Sequence, residues 1–199
     1  MTKKEMAIEK AKEILKKVEK INPAHNVAHT ESTLFYTHKI AQNLPEVNVD
    51  ILDLAVWWHD TGRLYLDEGH AKKSAEMARD ELTKMGYEQD FVANVYEAIK
   101  NHSMRDKPNT IEGDVLRDAD KLDFLTPKRW QTVIDNKNLH SIQIGLRGIP
   151  VIRNKILALD ISKEIFDQLW KELKIFADKN QSEYFAPYKK ELLRLKLDK

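Results

Sequence analysis

The chain has 199 residues, 42% of them hydrophobic, which fits one domain with a substantial core. Lys and Arg total 33 against 32 Asp and Glu, a net charge of +1, which argues against a protein built around a basic face for gripping long nucleic acid. The absence of cysteine excludes disulfides, thiolate zinc sites, iron–sulfur clusters and cysteine nucleophiles together, and fits a reducing compartment.

Met1 to Lys20 is lysine-rich but lacks the apolar stretch of a signal peptide, and Glu5, Glu9, Glu13 and Glu19 argue against a transit peptide. Met6, Ile8, Leu15 and Val18 follow a loose helical spacing there, so an amphipathic helix is expected, ended by Pro23. Asn26 reads as the N-cap of a second helix running to about Asn43, and Pro45 and Asn48 mark a turn. A third helix is expected from about Val49 to Asp60, with Gly62 as its C-terminal cap. Ile51, Leu52, Leu54, Ala55, Val56, Trp57 and Trp58 make it apolar nearly all round, the mark of a buried central helix. Its run from Leu54 to Trp58 is far shorter than the ~20 residues that cross a bilayer, so a cytoplasmic protein with no membrane partner is expected. Further helices are expected at about His70 to Met85, ending at Gly86, at about Glu88 to Lys100, and at about Ile111 to Leu125. From Pro127 to Pro150, Gly145 and Gly148 suggest a short helix followed by loops. Two closing helices follow, about Ser162 to Lys179 and Glu183 to Leu197. The fold class is all-α, as a single compact helical bundle over residues 1–199.

Seven histidines are present, and several have telling neighbours. His59-Asp60 ends the most hydrophobic helix, where burying an imidazole and a carboxylate unpaired would cost at least ~1–3 kcal/mol each. A cation held by both removes that cost; the plainer alternative is a satisfied core histidine beside a helix-end aspartate. His29 opens the second helix, four residues after His25, and Asp118-Ala119-Asp120-Lys121-Leu122-Asp123 supplies carboxylates downstream. Two imidazoles and two carboxylates from three helices would form a set suited to Mn, Fe, Co, Ni or Zn better than to Ca.

The order His29, then His59-Asp60, then Asp120 resembles the HD-domain superfamily of metal-dependent phosphohydrolases. The likeness includes His25-Asn26-Val27-Ala28-His29, His59-Asp60-Thr61-Gly62-Arg63 and Asp118 to Asp123, and spans about residues 22–125. Residues 126–199 match no pattern and are where substrate specificity is expected. The resemblance implies a helical bundle in which His29, His59, Asp60 and Asp120 hold one divalent metal. Binuclear members add two histidines between the central and last motifs, and His70 and His102 stand there. In such a site the Asp60 position bridges two ions; in one-metal relatives the two histidines meet the substrate instead, the reading slightly favoured here.

The resulting expectation is hydrolysis of a small phosphate ester, a nucleotide above all, by a metal-activated water, with manganese among the candidate metals. Asp60 would help orient and deprotonate the water, and Lys121 with His70 or His102 would neutralise or protonate the phosphoryl and leaving oxygens. Lys121 also has the plain alternative of a local ion pair with Asp120. Arg63, Arg105, Arg147 and Arg153 are phosphate-binding candidates that read first as surface residues, and Asp67 and Glu68 as an acidic loop before a helix. His25 either supports His29 or caps the turn after Pro23, with the cap preferred; His38 and His140 read as surface residues without partners. Two rival functions stay open, a binuclear-iron oxygenase of the same superfamily and a non-catalytic nucleotide-binding module. The oligomeric state is not written in the residues.

Overall fold

The computed structural model describes residues 1–197. Ten α-helices and no strand occur among them, as the sequence pattern predicts: α1 (Lys3–Ile21), α2 (Val27–Ala41), α3 (Val49–Trp58), α4 (His70–Lys84), α5 (Gln89–Lys100), α6 (Ile111–Asp123), α7 (Pro127–Asp135), α8 (Leu139–Val151), α9 (Asp160–Lys179) and α10 (Ala186–Arg194). The chain falls into two compact units, Met1–Ala119 and Asp120–Lys199, a division the sequence pattern does not mark.

In the first unit α3 is the core helix. Ile51, Leu54, Ala55, Val56, Trp57 and Trp58 share one buried cluster with Ala7, Ala11 and Leu15 of α1, Ala75, Ala78 and Leu82 of α4, and Val92, Val95, Ala98 and Ile99 of α5. The buried stripe of α1 is thus Ala7, Ala11, Leu15 and Val18, and the expected core residue Met6 is exposed. Small side chains let α1 approach α3 closely, which a stripe led by Met6 would not. Thr2 closes α1 with a capping box, its hydroxyl accepting from Glu5 N at 3.2 Å while Glu5 accepts from Thr2 N at 2.7 Å. Asn26 caps α2 as expected, accepting from His29 N at 2.9 Å. Asn48 caps α3, accepting from Asp50 N and Ile51 N, and its own N–H reaches Glu112 at the start of α6.

Two glycines act differently from one another. Gly86 ends α4 in the left-handed region at φ +73°, as its place after the helix predicts. Gly62, expected to cap α3, does not take a left-handed conformation; it lies in a short 3₁₀ turn, Thr61–Leu64, pressed against the first turn of α4. A Cβ there would fall 2.4 Å from His70 O and 2.6 Å from Ser74 N, so only glycine fits. α3 itself stops at Trp58, two residues before the expected end.

In the second unit the segment expected to be a short helix and loops is two helices, α7 and α8. Thr126 caps α7 with Pro127 in its first turn, and Asn138 caps α8. Gly145 does not break α8, because its bare Cα receives the Trp130 indole of α7; an added Cβ would meet Trp130 Cζ2 at 2.7 Å. Pro150 sits near the end of α8, and one π-type turn, Ile152–Ile156, follows. α9 buries Ile165, Phe166, Leu169, Trp170 and Leu173 along one face.

Candidate metal centre

The site grows out of the places where helices of the first unit end. The last carbonyls of a helix have no partner within it and must be satisfied from elsewhere. At the end of α3, Val56 O receives His59 Nδ1 at 2.6 Å, and Trp58 O receives the Thr61 hydroxyl at 2.8 Å. At the end of α5, Ile99 O receives His102 Nδ1 at 2.8 Å. Ahead of α4, Asp67 O receives His70 Nδ1, again at 2.8 Å. Each of these histidines therefore uses the same local device, a bond from Nδ1 to the carbonyl three residues earlier. A carbonyl only accepts, so the hydrogen lies on Nδ1 and the neutral ring presents a bare lone pair at Nε2.

All three lone pairs converge on Asp60. Its Oδ2 lies 3.3 Å from His59 Nε2 and 3.5 Å from His29 Nε2, and its Oδ1 lies 3.5 Å from His70 Nε2 and 3.9 Å from His102 Nε2. The rings of His25, His29, His59, His102 and His70 follow one another edge to face in an unbroken row, with centroids 5.1–5.5 Å apart. His59, Asp60 and His102 are buried, and so are His29 and His70. His59 Nε2, wholly shielded from solvent, makes no hydrogen bond. A buried lone pair facing a carboxylate oxygen is acceptor against acceptor, and a cation between them satisfies both. The donor atoms of His59, Asp60 and His102 lie within 4.8 Å of one another, as do those of His25, His29 and Asp60. Imidazole nitrogen with carboxylate oxygen is a donor set for a divalent transition metal, and these residues fit one.

Electrostatics agree. Burial opposes ionisation of Asp60, but His25, Arg63 and His59 around it prevail and hold its carboxyl well below the usual range. Burial pushes His70 down to about 3 and His25 down to about 4, both against the pull of Asp60, so both rings are neutral at physiological pH. Neutral rings are the form that binds a metal.

Other expected residues fall as follows. His25 does not serve as the preferred turn cap: its Nδ1 bonds Asp60 Oδ2 at 2.5 Å, fixing the carboxylate from behind. Arg63 is not a free surface cation but turns inward, its Nε on Asp60 Oδ1 at 2.6 Å. Asp120 and Lys121 begin the second unit, in the last turn of α6, and Lys121 Nζ forms the local ion pair with Asp120. Arg153 forks onto Asp167 at 2.6 and 2.8 Å, and Arg147 bonds Gln143 O of its own helix. Arg105 pairs with Glu68 at 3.0 Å, both fully in solvent, and Asp67 accepts from Arg63. His38, expected to lack a partner, meets Asp53 at 2.6 Å, while His140 is exposed as expected. Ser74, one helical turn after His70, accepts a bond from Gly62 N at 2.8 Å and pins the 3₁₀ turn to α4. The signals for the inward Arg63 and the supporting His25 were their offsets, three residues after Asp60 and four before His29.

With this geometry in hand, comparison with known proteins is informative. The profile of the HD domain matches residues 26–125, half of the chain, and the chain belongs to that family. A crystal structure of a predicted HD superfamily hydrolase from an uncultured Thermotogales bacterium shares its fold, with a TM-score of 0.61. The two are 24% identical over 84% of this chain and 88% of the other. No curated protein matches. Among the described residues, no helix is long and apolar enough to cross a membrane.

Proposed function

We propose that the chain is a metal-dependent phosphohydrolase that cleaves a small phosphate ester, with nucleotides as the substrate class. The observation that carries this reading is the buried convergence of imidazole lone pairs on one ionised carboxylate, with His59 Nε2 unbonded beside Asp60. His29, His59 and Asp60 would hold a divalent ion, with Asp120 as the fourth ligand that the family pattern assigns. Such an ion acidifies a coordinated water from ~15.7 toward neutrality and offsets negative charge on phosphoryl oxygens. The protein's part is to prepare the site. His25 keeps the Asp60 carboxylate oriented, the carbonyl contacts of Val56 and Ile99 hold two rings in the ligating tautomer, and Lys121 pairs with Asp120. His70 is held by Asp67 O and Arg63, and His102 Nε2 lies 3.9 Å from Asp60 Oδ1; either ring would first have to take up a proton at Nε2 before passing it to the leaving oxygen.

The test is turnover of a nucleotide panel by protein reconstituted with Mn, Fe, Co, Ni or Zn, read as released phosphate or nucleoside. Hydrolysis that stops on chelation and returns with metal is the expected outcome. Turnover that requires dioxygen would replace this reading with an oxygenase, and nucleotide binding without product under every metal would replace it with a sensing module.

A further inference from the structure

Asp60 has two faces, and they are furnished differently. Around Oδ2 stand His25, His29 and His59. Around Oδ1 stand His70, His102 and, closer than either, the guanidinium of Arg63. Its Nε donates to Asp60 Oδ1 at 2.6 Å, one terminal nitrogen donates to His70 Nε2 at 3.0 Å, and the other to Asp67 Oδ1 at 3.1 Å. Two of the acceptors that a second metal ion would need on this face, Asp60 Oδ1 and His70 Nε2, are thus already engaged by a cation that never loses its charge. On the Oδ2 face, His59 Nε2 has no such donor.

The local chain explains why the guanidinium sits there. Asp60 precedes a 3₁₀ turn, in which residues three apart lie over one another, and Arg63 is the third residue after it. The turn is locked to α4 by Gly62, whose N–H bonds Ser74 and whose bare Cα lies against His70 O. That close approach fixes the spacing between Arg63 and His70.

We propose that Arg63 is a built-in cation occupying the second metal position, so that this chain, despite carrying both extra histidines, holds a single ion on the Oδ2 face of Asp60. The proposal rests on the metal-centre reading above and specifies its stoichiometry. A divalent ion entering the Oδ1 face must displace a guanidinium from two charge-assisted bonds and then sit beside it.

The test is manganese content per chain after loading and desalting, by elemental analysis, with the Mn(II) electron paramagnetic resonance spectrum as a second readout. Wild type is expected to retain one equivalent with an uncoupled six-line spectrum. Arg63→Ala should retain two with a spin-coupled spectrum, and Arg63→Gln, which preserves the bulk without the charge, serves where alanine impairs folding. Adding His102→Ala to either should return the count to one. Two equivalents in wild type, or one in both folded Arg63 variants, would overturn the proposal. One retained ion with no hydrolysis of any phosphate ester would discard the hydrolase reading and leave this one standing, whereas no retained metal in any variant would discard both.

Discussion

The two units of this chain differ in how they group their buried polar side chains. In Met1–Ala119, five imidazoles and a carboxylate gather where the most apolar helix ends, and His59 Nε2 is buried without a hydrogen bond. In Asp120–Lys199, the histidine His140 is exposed, the Arg153–Asp167 pair lies at the surface, and the helices close over Trp130, Phe166, Phe185 and Leu173. Among its described residues the second unit buries only scattered polar atoms without a hydrogen bond, the Ser162 hydroxyl and Arg129 Nε, rather than a cluster. The first gathers them into a cluster that could hold a cation, so stability and chemistry should be separable by where a substitution falls.

The largest effect is expected at Asp60. Asp60→Asn removes the charge on which the ring nitrogens converge, and should cut metal retention and turnover by more than the ~10–100-fold that losing a supporting group costs. The helical circular dichroism spectrum should be unchanged; full activity in this variant would refute the site. Core truncation comes next. Leu54→Ala should lower unfolding free energy by about 2–5 kcal/mol in denaturant titrations, because α3 is packed on every side.

Acid should act on the first unit through His25 and His70. Both have an unfolded value of 6.5 and are pushed down in the fold, to about 4 and about 3. The unfolded chain therefore takes up protons that the native state refuses, and native stability falls as pH drops from 6.5 through those lower values. For His25 the full loss is on the order of 3 kcal/mol. Melting temperatures of metal-free protein between pH 7 and pH 4 should decline, and His25→Ala should flatten the profile; a flat wild-type profile would contradict the assignment.

The two packed glycines sharpen the contrast. Gly62→Ala and Gly145→Ala each force a Cβ into occupied space and should each cost about 1–3 kcal/mol. Gly62→Ala should also weaken metal retention, since it displaces the turn into which Asp60 leads, whereas Gly145→Ala should leave metal affinity unchanged. Equal metal retention in the two would remove the link between that turn and the site. The smallest effect belongs to the surface: Arg153→Ala should shift stability by at most ~1 kcal/mol and leave metal content alone.

Much of this was legible from residue order. Asn26, Asn48 and Gly86 declared helix ends because capping depends on one side chain and its immediate backbone. The apolar circumference of residues 51–58 announced a central helix, while His59-Asp60 at its end gained meaning only from its order with His29 and Asp120. Local rules failed where packing between helices prevailed. Gly145 reads as a breaker until Trp130 is seen to fill its missing side chain, and Gly62 reads as a cap until α4 is seen against it. Likewise, Met6 looked like core, but the neighbouring α3 selects the alanine face.

By itself, then, the amino-acid order determined the helical class and most helix limits, and marked His59-Asp60 at the end of the apolar helix, because periodicity, caps and motif order are properties of neighbours along the chain. Tertiary structure alone decided the support that His25 lends to Asp60, the reach of Arg63 to His70, and the convergence of His29, His70 and His102 on the Asp60 carboxylate. Those depend on distances between side chains, and a donor finds its acceptor only after the helix ends have been brought together.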